Sequence, residues 1–164
     1  MKAHEIRLAK LGEGDLDNLS RWAQSDEAYG TYDEPSRLTL PQIRAKWEKG
    51  EYAYTWIIHH GEKKVGFCHS LPHPWNDWTA ILAVIIAEPT ARGRGIGTEV
   101  HKRLCHTIFA LQAEVQKIEA YTDRENQAEQ RVLEKCGFVQ EGLLRKSGLI
   151  RGEIRDMYVY GLIR

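Results

Sequence analysis

The segment from Thr79 to Thr98 constrains this chain more than any other. It opens with Thr79–Ala87, a nearly continuous aliphatic run. A sheet face in water would alternate polar with apolar residues, so this run predicts a central strand covered on both faces. Three alternating glycines follow in Arg92-Gly93-Arg94-Gly95-Ile96-Gly97, and a helix is expected at once over Gly97–Leu111. Its Val100, Leu104, Ile108 and Leu111 are spaced for one buried stripe. Glycine lets the backbone turn sharply and approach a ligand with no Cβ in the way. The helix start adds unpaired N–H groups and the positive end of the dipole. Together these make an anion cradle suited to a phosphate or diphosphate, to which Arg92 and Arg94 can add charge.

The rest of the chain sets the frame for that unit. With 164 residues and no repeat, low-complexity tract or Gly/Ser linker, one domain over residues 1–164 is expected. Lys plus Arg and Asp plus Glu both number 23, and this balance argues against a general nucleic-acid partner. The 42% hydrophobic share and five tryptophans exclude a disordered chain. The longest strongly apolar run, Ala80–Ala87, is far too short to span a bilayer, so no membrane partner is expected. Met1-Lys2-Ala3-His4-Glu5 places no apolar stretch behind its charge, so no secretory leader is expected either. Cys68, Cys105 and Cys136 fit no close metal spacing; they read as reduced thiols of a cytoplasmic protein without a metal site.

Hydrophobic period supplies the element order. Ile6 and Leu8 alternate with charges as a first strand. Asp15 is placed to cap a helix with Leu16, Leu19, Trp22 and Ala23 on one face. Tyr29–Arg37 reads as a loop. Thr39 with Gln42 is a capping-box pattern before a helix carrying Ile43 and Trp47, and Gly50 ends it. Tyr52–His59 and Lys64–Leu71 read as strands joined by a hairpin at His60–Lys63. After the central unit come a strand at Lys117–Thr122, a helix from Asn126 to Lys135, and closing strands at Phe138–Leu144 and Asp156–Ile163. Asn126 and Glu129 form an Asn-x-x-Glu capping arrangement at the start of that last helix. The class is therefore mixed α/β (α+β), a single twisted mixed sheet with helices on both faces.

Two familiar phosphate loops do not fit. Walker A requires Gly-Lys-Ser/Thr, and the dinucleotide fingerprint requires a third Gly where Thr98 stands. Arg-x-x-Gly-x-Gly does fit, at Arg92, Gly95 and Gly97. Here the chain resembles the GNAT superfamily of N-acetyltransferases. The block Asn126–Phe138, an Asn-led helix ending in Glu-Lys-x-Gly-Phe, resembles that family's next motif. The tail, with Glu141-Gly142, Arg145, Gly152, Asp156 and Tyr160-Gly161-Leu162, resembles its ribosomal-protein N-acetyltransferase (RimJ/RimL-like) branch.

The resemblance implies a sheet of about six to seven strands and acetyl-CoA as co-substrate. It also implies direct acetyl transfer to a primary amine, a protein N-terminus or a small molecule, through a tetrahedral intermediate. Carried over to these positions, the backbone of Ile85, Ile86 and Ala87 holds the pantetheine arm. Arg92, Gly93, Arg94, Gly95, Ile96, Gly97 and Thr98 hold the diphosphate, and Asn126 lies close to CoA, a placement that its capping role explains equally well. Many members carry a Tyr proton donor where this chain has Leu133, and the branch often carries Ser where this chain has Glu129. Neither can be transferred. Candidate catalytic groups are Glu88, a base or a solvated loop carboxylate, and Tyr121, a proton donor or water holder if it is not core packing; Glu119 shares its strand face. His69 and His73 flank the loop before the central strand. Trp75 and Trp78 with Asp33-Glu34 form either an acceptor pocket for a cationic amine or packing hinges. A catalytically silent CoA-binding sensor is the alternative function, and the final strand leaves room for a homodimer.

Overall fold

The computed structural model describes residues 5–164; Met1–His4, most of the segment read for a leader, lie outside them. The strands are β1 (Ile6–Lys10), β2 (Thr55–His60), β3 (Lys63–Pro72), β4 (Thr79–Ile85), β5 (Lys117–Asp123), β6 (Val139–Ile150) and β7 (Glu153–Ile163). The helices are α1 (Leu16–Ala23), α2 (Asp26–Tyr29), α3 (Leu40–Glu48), α4 (Ile96–Leu111) and α5 (Gln127–Lys135). One seven-stranded sheet has the order β1-β2-β3-β4-β5-β7-β6. All neighbours are antiparallel except β4 and β5, which run parallel.

Alternation along the strands feeds two cores. Trp56, Ile58, Cys68 and Leu82 pack under Val100, Leu104 and Ile108 of α4 and Leu133 of α5. Ile57, Phe67 and Ile85 point the other way, to Leu16, Leu19 and Trp22 of α1 and Ile43 of α3. The central strand is thus covered on both faces, as its unbroken aliphatic run requires. Each fully buried aliphatic side chain contributes about 1.5–3 kcal/mol over an exposed one.

The feature that makes a site is where β4 and β5 part. They pair only at Thr79↔Lys117, Ala80↔Ile118 and Ile81↔Glu119. Beyond that point β4 stays on β3 as far as Ile85↔Phe67, while β5 stays on β7 as far as Asp123↔Met157. A wedge opens between them, and the edge of β4 that faces it has no ladder partner there.

Several elements depart from the sequence reading. The central strand ends at Ile85, not Ala87: β3 bulges at Val65, between the pairs Ile58↔Gly66 and His59↔Lys64, and the Glu88 N–H turns onto the Val65 carbonyl at 3.0 Å. Residues 52–54 form a turn, so β2 starts at Thr55. The closing strands are longer than their apolar stretches and meet in a two-residue turn, Arg151-Gly152, with φ of 52° and 79°. Such a turn matches the strand twist. Asp15 does precede α1, but its carboxylate accepts the Gly12 N–H at 2.9 Å and pairs with Lys64 at 2.7 Å instead of capping that helix.

Candidate active site

The glycine loop delivers its amides as the sequence suggests. Gly93 and Gly95 have φ of 71° and 77°, a region other residues enter only at a cost, and Gly95 is the N-cap of α4. The first bond within α4 runs from the Glu99 N–H to the Gly95 carbonyl. The N–H groups of Ile96, Gly97 and Thr98 are therefore left without intrahelical partners. A Cβ placed on Gly93, Gly95 or Gly97 would meet no protein atom within 4 Å, so the space before these amides is open. Gly93, Gly95, Gly97 and Thr98 line a cavity of about 1090 Å³ that also takes in Ile85 and Ile86 at the wedge. Free amides, a helix N-terminus and an unpaired strand edge in one cavity fit the diphosphate and amide-bearing arm of CoA. Ala87, Arg94 and Ile96 do not line it; Ala87 and Ile96 are core residues.

Arg92 lines the cavity, but its guanidinium is already engaged. Nε donates to the Ile86 carbonyl at 2.8 Å, and Nη2 donates to the Glu27 and Ala28 carbonyls at 2.7 and 2.6 Å. It ties the loop to the end of β4 and to α2, and its charge is spent on those carbonyls.

The two candidate catalytic residues separate. The Glu88 carboxylate accepts from Arg21 Nη2 at 2.7 Å and Trp22 Nε1 at 2.8 Å, outside the cavity walls. The Trp22 and Arg21 donors hold its pKa below the usual carboxylate range, the reverse of what a base near pH 7 needs. Tyr121 does line the cavity, on the β5 side of the wedge, and its hydroxyl donates to Glu119 Oε2 at 2.7 Å. Burial, with Glu119 adding, pushes the phenol up to about 12. Burial raises the Glu119 carboxyl too, but Lys117 at 2.7 Å and the Tyr121 hydroxyl outweigh it and hold it low; His73 Nε2 stands 3.6 Å behind.

The start of α5 differs from the reciprocal cap read in the sequence. The Asn126 side chain accepts the Glu129 N–H at 3.2 Å, but the Glu129 carboxylate does not return the bond. Its Oε1 lies 2.8 Å from Nε2 of His101, which is 1% exposed and whose Nδ1 lies 2.8 Å from the Gly97 carbonyl. Asn126 and Glu129 both line the cavity. Leu133, in contrast, is fully buried in the core. The sequence reading missed the His101–Glu129 contact, for which the only signal was a histidine on the apolar stripe of α4, between Val100 and Leu104.

The far wall is made by the segment between α1 and α3 together with the turn that follows α3. Tyr29, Tyr32, Tyr52, Asp33 and Glu34 line it. Trp75 and Trp78 do not: they are 84% and 60% exposed, and Trp75 sets its ring edge-on to His73. Surrounding protein lifts the Asp33 carboxyl to about 6, the Glu129 charge adding to this, although Asp33 meets solvent at the open mouth. His69 also lines the cavity, and burial pushes its imidazole down to about 4. Among the described residues there is no cluster of His, Cys, Asp or Glu placed to hold a metal ion, and no helix long and apolar enough to cross a membrane.

Comparison with solved structures returns this architecture over the whole chain. The spermidine N-acetyltransferase of Vibrio cholerae, solved with CoA and spermine, superposes with a TM-score of 0.85 at 20% identity, covering 98% of this chain and 96% of that one. An acetyltransferase of the GNAT family from Bacillus anthracis gives a TM-score of 0.79 at 21% identity, with 99% and 97% covered. RimL, a ribosomal alpha-N-protein acetyltransferase solved with coenzyme A, gives 0.79 at 17% identity, with 97% and 94% covered. The family model described as the acetyltransferase (GNAT) domain matches residues 5–139. With that match across most of its length, the chain belongs to the GNAT acetyltransferases.

Proposed function

We propose that this chain transfers acetyl directly from acetyl-CoA to the primary amine of a cationic small molecule or a peptide N-terminus. The observation that carries this reading is the parting of β4 from β5 after Ile81↔Glu119, in the same cavity as the bare amides at Gly97 and Thr98. The loop amides take the diphosphate, and Asn126 stands beside it on α5. The unpaired edge of β4 around Ile85 and Ile86 receives the pantetheine amides as a ladder partner would and aims the thioester into the wedge. Direct transfer passes through a tetrahedral intermediate and needs no covalent bond to the protein.

The amine enters from the wall of Tyr29, Tyr32 and Tyr52. Asp33 and Glu34 there favour a cation, and the aromatic faces add cation–π attraction. The ammonium must lose a proton before it attacks. Tyr121, its hydroxyl held by Glu119, steadies a water that carries that proton away to solvent, with His73 behind the carboxylate. The three free thiols support a reducing, cytoplasmic setting.

Calorimetric titration with CoA tests the donor site. Wild type binds, and Gly97→Val, whose new side chain meets no protein atom near its Cβ, loses at least tenfold in affinity while its unfolding curve is kept. Thiol release from acetyl-CoA is then followed with spermidine, an aminosugar and a short peptide as acceptors. CoA binding without acceleration by any amine favours the silent sensor; unchanged affinity in Gly97→Val defeats the donor site itself.

A further inference from the structure

We infer that His69 accepts a hydrogen bond from the attacking amine and turns its lone pair toward the thioester, in a niche floored by Ala83. This rests on the acetyl-transfer reading above and names the side chain that orients the nitrogen, which that reading does not. The register fixes the place. His69 pairs with Ala83 and Leu71 with Ile81 across β3 and β4, and Ile81↔Glu119 is the last pair before the wedge opens. Two residues further along, Ala83 on one lip of the wedge comes level with Tyr121 on the other. Side chains two apart share a sheet face, so His69, Ala83 and Tyr121 form one rung on the same face. All three line the cavity. The middle member carries only a methyl group, which leaves a niche between an imidazole and a phenol.

Both substrates reach this rung. On the donor side, Ala83 stands two residues, about 7 Å, along β4 from Ile85, where the pantetheine edge hands the thioester to the wedge. On the acceptor side, the Phe67 ring lies 5.4 Å from the imidazole and 6.3 Å from the Tyr29 ring. His69 thus continues the wall by which the amine enters.

The chemistry of the ring suits orientation and not proton removal. Burial lowers its pKa to about 4, and no hydrogen bond or charge from the described residues offsets this. The imidazole is therefore neutral at pH 7 and does not repel an incoming cation. It offers a bare nitrogen to whatever enters the cavity. So weak a base does not keep an amine's proton. The first proton leaves by the water at Tyr121, and His69 then receives one N–H of the neutral amine. The second N–H meets that water, which leaves the lone pair facing the acetyl carbon. The other polar groups nearby are committed elsewhere. The Tyr121 hydroxyl donates to Glu119, His73 stands behind that carboxylate, and Asp33 lies at the open mouth.

His69→Leu and His69→Gln test this. Leucine suits a half-buried place beside Phe67, and glutamine keeps an acceptor atom. The acceptor is whichever of spermidine, the aminosugar and the peptide turns over fastest. His69→Leu is expected to lower kcat/KM for that amine at least about tenfold, the worth of one hydrogen bond, while CoA affinity stays within about twofold. Acceptor choice gives a readout that a merely structural role would not move. One methyl on the nitrogen that is acetylated removes one of its two N–H groups. Wild type prefers the unmethylated amine by at least about tenfold, and His69→Leu narrows that preference. His69→Gln shows both effects to a smaller degree. Unchanged kcat/KM in His69→Leu, CoA affinity falling in step with turnover, or an undiminished preference for the unmethylated amine each overturns the proposal while leaving acetyl transfer intact. A wild type that releases no thiol with any amine overturns acetyl transfer, and this proposal with it.

Discussion

Gly66 and Ile85 touch backbone to backbone: a Cβ on Gly66 would lie 2.0 Å from the Ile85 carbonyl oxygen. The close approach comes from the bulge at Val65 and sets where β4 leaves the sheet. Gly66→Ala must push the end of β4 outward at the wide end of the wedge, beyond the Ile81↔Glu119 pair where it opens. The expected loss is about 1–3 kcal/mol, as for other overpacked sites, with weaker CoA binding than in wild type. Gly14→Ala, which meets nothing within 4 Å, is the matched control. Urea unfolding and calorimetry on both variants check this; equal stabilities would remove the role given to the contact.

Arg92→Lys is expected to behave as a loss and not as a conservative change. A single ammonium cannot span the Ile86 carbonyl on one side and the Glu27 and Ala28 carbonyls on the other. Stability drops by about 1–2 kcal/mol, reflecting exposed charge-assisted bonds. Hydrogen exchange of amides in α2 accelerates while that of α4 stays near wild type. Uniform acceleration throughout the chain would contradict the latch.

Glu88→Gln is expected to leave kcat within about twofold, because the carboxylate serves Arg21 and Trp22 and no reacting group. Its effect appears in stability against pH. The Trp22 and Arg21 donors lower the Glu88 pKa in the fold, so its contribution is fully present above the ordinary carboxylate value of 4.5. It is lost as pH falls through the lower folded value. Unfolding at pH 7 and pH 3 should show a larger wild-type advantage over Glu88→Gln at pH 7 than at pH 3.

The local signals that were legible come from residues that act within a turn or two. Thr39 and Gln42 form the capping box their spacing suggests, the Thr39 N–H donating to Gln42 Oε1 at 2.9 Å. The glycine loop and α4 follow for the same reason. Features decided by distant partners were not legible. The strands β6 and β7 run on through polar residues because they pair with each other, and Asp156 accepts the Lys146 N–H at 2.9 Å across a bulge. Asn126 and Glu129 have the letters of a reciprocal cap, yet a histidine 28 positions earlier takes the carboxylate. Aromatic residues in a loop suggested a pocket wall at Trp75 and Trp78, whereas the tyrosines that form it are spread from Tyr29 to Tyr52.

His69 provides a second test by pH. Burial lowers its pKa from 6.5 to about 4, so the unfolded chain binds a proton more readily than the fold. Stability therefore declines as pH falls from about 6.5 and levels off below about 4, by on the order of 3 kcal/mol. His69→Asn should flatten that part of the profile. A profile identical to wild type would show that the ring takes up its proton as readily in the fold as in the unfolded chain.

The short helix α2 is stitched at both ends by arginines from remote parts of the chain. Arg92 reaches Glu27 and Ala28 from the loop before α4, and Arg151 at the β6–β7 tip reaches the Asp26 and Gly30 carbonyls at 3.2 and 2.6 Å. The strip that follows it, residues 31–36, hangs from this fixed seam and contributes nothing to the sheet. Under the proposed function, exchanging its solvent-facing letters, Thr31 and Asp33 among them, is expected to retune which amine is admitted while the seam beneath stays in place.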